Sequence, residues 1–286
     1  LMIAGEAALS NWDAGMDMYI YGKLGNLTMT KEGINVLMTN LTGKVPPILQ
    51  RLDYIRFNGE AAGYLHDLTL TGLFHTGAGM VKTDVMMSID EQSMSRTYSG
   101  SVASADLDLG KLLNQEKKFG KVDFNVELKG FNYKNRYPES YIKGIISSFE
   151  YSQYQYENIM LDGVYKDGGF NGRLSMDDAN GSVQIDGNFN VAKTIPDFNL
   201  KASVKNLRPH DLHLSDKYEN ASISLGLTAD FTGKSIDDMN GRISLDSLQL
   251  NAPDEGGCFL DNLTITAGQV SGEKELRINS SFMTAV

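Results

Sequence analysis

The sequence predicts an all-β chain: an elongated sheet curled into a U-shaped, solenoid-like trough with an apolar interior and only short helical turns. Three observations predict it. Apolar and polar residues alternate with period 2 through most of the chain, which gives each strand one apolar and one wet face. Turn signals rich in Gly, Asn and Asp recur roughly every 10 to 14 residues. Amphipathic helical patterns are almost absent.

Taken in order, Val81, Val85, Met87 and Ile89 read as the apolar side of a strand. Val122, Phe124, Val126 and Leu128 alternate with Asp123, Asn125, Glu127 and Lys129. Val183, Ile185, Phe189 and Val191 do so against Gln184, Asp186, Asn188 and Asn190, and Phe198, Leu200, Ala202 and Val204 repeat the pattern. The cleanest case interleaves Ala221, Ile223, Leu225, Leu227, Ala229 and Phe231 with Ser222, Ser224, Gly226, Thr228 and Asp230; Ile243 and Leu245 follow in the next strand. Turns are expected at Asn58-Gly59, Asp167-Gly168-Gly169, Asp177-Asp178-Ala179-Asn180-Gly181 and Asp237-Asp238-Met239-Asn240-Gly241. An apolar-polar-Gly unit recurs at Phe57-Asn58-Gly59, Leu161-Asp162-Gly163, Phe170-Asn171-Gly172 and Met239-Asn240-Gly241, without a strict solenoid period. The two short helical candidates are Leu107–Asn114 and Pro46–Leu52, where Pro46-Pro47 suits a helix start.

The missing helices carry an argument. Burying Ile223, Leu225, Leu227 and Phe231 is worth about 2 kcal/mol each, roughly 8 kcal/mol for one strand. Something must cover that face, and without helices the sheet has to fold onto itself or be filled by an apolar ligand. Strongly twisted sheets rarely stay open beyond about 10 strands, and the alternation offers roughly 18, so a curled sheet is expected. No linker interrupts the pattern, which predicts one elongated domain over residues 1–286.

Composition narrows the function. The chain has 286 residues with 41% hydrophobic content, enough for a core. Its 36 acidic residues against 26 basic ones give a formal charge of -10, which repels phosphate backbones and anionic headgroups. Nucleic acid is thereby disfavoured as a partner. The one cysteine, Cys258, cannot form an internal disulfide. No run approaches the roughly 18 to 20 apolar residues of a membrane span, and both ends are expected to be cuts through a longer polypeptide.

No catalytic residue, metal site or cofactor is expected. His210 and His213 are three apart but lie in a turn without the further ligands that zinc requires. Asp177-Asp178 and Asp237-Asp238 precede turn residues, where Asp is favoured for geometry. Tyr133, Tyr137, Tyr141, Tyr151, Tyr154 and Tyr156 could stack on sugars or nucleobases, although tyrosine is also a favoured strand residue.

Several motifs resemble Bacteroidetes TamB-like proteins of the AsmA-like family. They are Ile55-Arg56-Phe57-Asn58-Gly59 and His75-Thr76-Gly77-Ala78-Gly79; Tyr98-Ser99-Gly100 with Leu107-Asp108-Leu109-Gly110-Lys111; and Gly144-Ile145-Ile146, Phe149-Glu150-Tyr151, Tyr156-Glu157-Asn158-Ile159 and Phe170-Asn171-Gly172-Arg173-Leu174-Ser175. The resemblance is clearest over residues 52–250. It implies a periplasmic segment of a Gram-negative envelope protein, anchored in the inner membrane by a part outside this sequence. In that family a long sheet curls around an apolar interior, phospholipid moves toward the outer membrane, and a BamA/TamA-like β-barrel is the outer-membrane partner. By that reading the groove for phospholipid acyl chains is lined by Val122, Phe124, Val126, Leu128, Val183, Ile185, Phe189, Val191, Phe198, Leu200, Val204, Ile223, Leu225, Leu227, Phe231, Ile243 and Leu245. The alternative is a scaffold that assembles outer-membrane β-barrel or autotransporter proteins by β-augmentation; a β-solenoid carbohydrate-active enzyme is a third possibility.

Overall fold

The computed structural model describes all residues except 1, 12, 91, 94, 133–138, 218, 236, 254–255, 271–272, 282–283 and 286. The chain is all-β, with antiparallel strands in an open sheet and three short helices. It divides into two compact units, Leu1–Gln155 and Tyr156–Val286.

The first unit contains β1 (Met2–Ser10), β2 (Tyr19–Thr30), α1 (Lys31–Thr42), α2 (Pro47–Gln50), β3 (Tyr54–Tyr64), β4 (Asp67–Thr76), β5 (Gly79–Ile89), β6 (Arg96–Ala105), β7 (Leu107–Asp108), α3 (Leu109–Leu113), β8 (Phe119–Asn132) and β9 (Glu139–Tyr151). It is a meander in which each strand pairs with its predecessor, except that the short β7 pairs only with β8, which also pairs with β6. Two of the expected helical segments appear as α2 and α3. Asp108 caps α3 by accepting from the Lys111 N–H at 2.8 Å, as a short polar side chain does at an N-cap.

Two expectations are corrected here. Asn58-Gly59 is no turn but lies inside β3. A helix was not expected at 31–42, yet α1 forms there: Thr30 accepts from the Gly33 N–H, and Gly43, at φ 73°, closes the end with its N–H on the Thr39 carbonyl at 2.9 Å. The consequence is helical cover at one rim of this sheet. Ile34 of α1 and Leu112 of α3 are buried together with Leu52, Ile55, Ala78, Leu107 and Val122, and Phe74, Val81, Phe124, Ile146 and Phe149 pack around them. Polar contacts tie the plug together: Lys111 Nζ reaches Asp53 at 2.7 Å and the Gly77 carbonyl at 3.1 Å, and the Arg51 guanidinium donates to the Leu112 carbonyl.

The second unit contains β10 (Tyr154–Lys166, which opens at the boundary), β11 (Gly169–Asp178), β12 (Gly181–Asn190), β13 (Asp197–Leu207), β14 (Ser222–Thr232), β15 (Asn240–Asn251), β16 (Cys258–Val270), β17 (Glu273–Ser280) and β18 (Thr284–Ala285). It too is an antiparallel meander. Its first turn is Asp167-Gly168, both at positive φ (52° and 78°), which matches the right-handed strand twist and forces Lys166 opposite Gly169. The expected turn at Ala179-Asn180 pairs Asp178 with Gly181, and Asp178 accepts from the Asn180 N–H at 2.9 Å.

Near one rim of this unit, Asn206 and Ser247 each adopt a left-handed conformation where the registers of β13–β14 and β14–β15 slip by one residue. Each inserts one extra residue and keeps the apolar side chains on the same face beyond the bulge. The connector between β13 and β14 folds over this rim. Leu212 is fully buried (0% exposed), and the Tyr156 hydroxyl of β10 donates to its carbonyl at 2.8 Å.

The chain exposes 17731 Å² of surface. A compact monomer of 31.4 kDa would expose roughly 12,000 Å², and two separate compact halves roughly 14,600 Å². The chain therefore leaves more surface exposed than two compact halves would.

Candidate functional site

The site is a sheet face built by register. In the second unit the pairing sets Tyr165, Phe170, Phe189, Phe198 and Phe231 opposite one another on five successive strands. Phe170 and Phe189 lie 5.8 Å apart, and Phe198 stacks on Phe231 at 4.7 Å and 21°. Cross-strand pairs of this kind are the unit of sheet stabilisation. Two residues along each strand, on the same face, run Gly163, Gly172, Gly187, Leu200, Ala229, Ile243, Ile265 and Ile278. The next row is Leu161, Leu174, Ile185, Ala202, Leu227, Leu245 and Leu263, and the next begins Ile159, Met176, Val183, Val204, Leu225. None of these rows carries a charge.

The opposite face is wet. Asp162, Arg173, Asp186 and Lys201 alternate in sign across four strands, with Arg173 and Asp186 paired at 3.1 Å. Both are more than half exposed, so the pair adds at most about 1 kcal/mol; its effect is to keep this face in water.

In the first unit the same construction aligns Leu27, Phe57, Phe74, Val81, Phe124 and Ile146 around Ser104, and Leu70, Val85, Leu128 and Ile142 around Gly100. This packing accounts for Phe57-Asn58-Gly59 among the recurring apolar-polar-Gly units; in the other three the glycine meets residues of a neighbouring strand. A side chain and the glycine two residues on share a face, and the Phe57 ring lies over Gly59 and Gly72, where a Cβ would come within 2.7 and 2.5 Å of it; Phe170 covers Gly163 in the same way. The glycines give the rings room to lie flat on the sheet.

Of the expected lining residues, Phe124, Val126, Leu128, Val183, Ile185, Phe189, Phe198, Leu200, Val204, Ile223, Leu225, Leu227, Phe231, Ile243 and Leu245 are on these apolar faces and half-buried. Val122 is different, being 5% exposed inside the helical plug. Val191 lies beyond the end of β12 and is 63% exposed, because the chain leaves the sheet at Asn190; it is not on the face. The period-2 count overran the strand by one step. Tyr165, Phe170, Leu161, Leu174, Leu263 and Ile265 share the face and were not selected. The two-residue turns at 167–168 and 179–180 fix the registers that would have revealed the first four.

The remaining expected features fall elsewhere. Asp178 also accepts from the Glu157 N–H at 3.1 Å, bridging β11 to the start of β10. Asp238 accepts from the backbone of Lys234 (2.9 Å) and Ser235 (2.6 Å), and those backbone donors hold its carboxyl at about 2. His210 lies 3.7 Å from Asp211 in the β13–β14 connector. Of the tyrosines, Tyr151 packs on Phe119 and Phe149, the Tyr156 hydroxyl donates to the Leu212 carbonyl, Tyr141 pairs with Lys129 across β9 and β8, and Tyr133 and Tyr137 lie outside the described residues. Among the described residues no helix is long and apolar enough to cross a membrane.

No family model, curated protein or solved structure matches the chain.

Proposed function

We propose that this chain is a segment of a TamB-like, AsmA-related bridge of the Gram-negative periplasm, and that its apolar faces form the interior of a trough that shelters phospholipid acyl chains between the membranes. One observation carries the reading: four adjacent cross-strand rows of the second unit present apolar side chains without a charge and remain only half-buried. Each CH₂ sheltered there gains about 0.8 kcal/mol, so a 16-carbon chain gains on the order of 12 kcal/mol before ordering losses. That is the scale needed to hold a lipid outside a bilayer. On this reading the protein has no catalytic role, its lipid headgroups stay in water, and an outer-membrane β-barrel partner binds through other regions.

Photo-crosslinking tests it. A crosslinking residue at Leu225 or Leu227 should capture phospholipid in cells, and one at Thr228, on the opposite side of β14, should not. Equal capture from both sides, or capture of extended client peptides in place of lipid, would remove the conduit and favour the assembly scaffold. The reading also takes residues 1–286 as one elongated domain. Limited proteolysis should then release no stable half, whereas a folded fragment beginning near Tyr156, or a pair split near Lys193-Thr194, would show separate domains.

A further inference from the structure

The outward face of the first unit carries a feature that the lipid reading leaves unused. Register places Thr69, Met86, Ser99, Lys129 and Tyr141 in one cross-strand row, and Thr71, Asp84, Ser101 and Glu127 in the next. On this stretch β6 contributes only hydroxymethyl groups, so its backbone at Gly100 becomes the floor of a depression of about 540 Å³. Asp84 and Met86 wall it on one side, and Glu127, Lys129 and Tyr141 on the other. Met86 (48% exposed) and Tyr141 (37%) offer apolar surface to water beside these polar groups, as Met80 (37%) and Ile145 (49%) do elsewhere on the same face. Among the described residues, Ser99, Ser101, Glu127 and Lys129 engage no other group, and Asp84 is held only by the Thr71 hydroxyl at 2.9 Å through one of its two oxygens.

We infer that this depression is a carbohydrate-binding cleft for a short, uncharged oligosaccharide. The lining combines what sugar hydroxyls and ring C–H faces require: carboxylates that accept from hydroxyls, an ammonium that donates to them, two serine hydroxyls that do either, and a tyrosine ring and a thioether for the apolar face of the ring. Its volume falls within the range of small-ligand pockets, about 300 to 1,000 Å³. Asp84 and Glu127 repel phosphate and other anions, and the unengaged charges disfavour a purely apolar guest.

The experiment uses the full chain with two probes, the N-acetylglucosamine tetramer and maltotetraose, observed by saturation-transfer NMR and titration calorimetry. At least one probe should receive saturation through its ring protons. Ser101→Arg, which fills the floor from an outward-facing position, should abolish that signal. Tyr141→Phe should keep binding and Tyr141→Ala weaken it about two- to tenfold, an effect of the size expected for losing one stacked ring. The double variant Glu127→Ala/Lys129→Ala changes two exposed side chains, keeps the fold, and should weaken binding as well. Absence of transfer to either probe overturns the inference. So does binding that survives both Ser101→Arg and the double variant while circular dichroism shows the native sheet.

Discussion

The capped rim of the first unit and the apolar face of the second are made from the same kind of strand, yet they end in different states. In the first, Ile34 is 1% exposed and Val122 5%, because α1 and α3 fold over the sheet. In the second, Phe198, Leu227 and Leu245 are more uniformly apolar in their surroundings and still only half-buried. Hydrophobicity of the strand does not decide burial. What decides it is whether a connector between strands is long and apolar enough to return over the face, as 31–50 and 109–113 are in the first unit and the segment around Leu212 is at one rim of the second.

The largest expected effect breaks or upholds this contrast directly. Ile34→Asp places an unpaired charge in a closed core and should cost more than about 4 kcal/mol in urea denaturation, enough to unfold the first unit. Leu227→Asp places the same charge on a face reached by water, and should cost less than about 2 kcal/mol while impairing lipid capture. Equal losses would mean that the second face is as closed as the first.

Tyr156→Phe comes next. It leaves the buried Leu212 carbonyl without its donor, a loss of about 1 to 3 kcal/mol by chemical denaturation, and it should raise proteolytic cutting in the β13–β14 connector. A silent substitution would show that the connector is held by apolar packing of Leu212 alone. Phe231→Leu should cost about 0.5 to 1.5 kcal/mol, the increment of the lost ring pair with Phe198 over simple burial; a larger loss would reveal cover over the aromatic row.

The smallest effect concerns Asp238. Its folded pKa of about 2 lies below the ordinary 3.8, so the carboxylate stabilises the fold above the ordinary value, and that contribution is lost as pH falls through about 2. Asp238→Asn should lower stability slightly at neutral pH and flatten the acid limb between about pH 4 and 2. An unchanged acid limb would assign the acid sensitivity to other carboxylates, such as Asp53, whose pKa the Lys111 ammonium lowers.

The strands were legible because a period of 2 survives in a single sequence, and the alternation at 221–231 maps onto β14 with Ala221 just before it. Turn chemistry was legible where it is two residues long, at Asp167-Gly168 and Ala179-Asn180. Asn58-Gly59 misled because an Asn-Gly pair serves a tight turn and a glycine under an aromatic ring equally well; the difference is Phe57, two residues back on the same face. Helix α1 was hidden by Gly33, Asn35, Thr39 and Asn40, all weak helix formers, and its stability comes from Ile34 entering a core assembled from distant strands. The caps at Thr30 and Gly43 were the signals that could have exposed it. The bulges at Asn206 and Ser247 shift the apolar phase by one residue, from Val204 to Leu207 and from Leu245 to Leu248, a step that a strict period of 2 passes over.

Strand order has a further bearing on how such a chain comes to exist. Within each unit every β-strand bonds to the one made just before it, β7 being a brief detour. No strand waits for a distant partner, so closing each new ladder carries only a small loop-entropy cost, and sheet growth can follow the polypeptide as it emerges end first. A protein delivered through a narrow channel could thus add hairpins in sequence, each taking the last as its template. The exposed edge would move along the chain with synthesis instead of standing open until the final strand arrives.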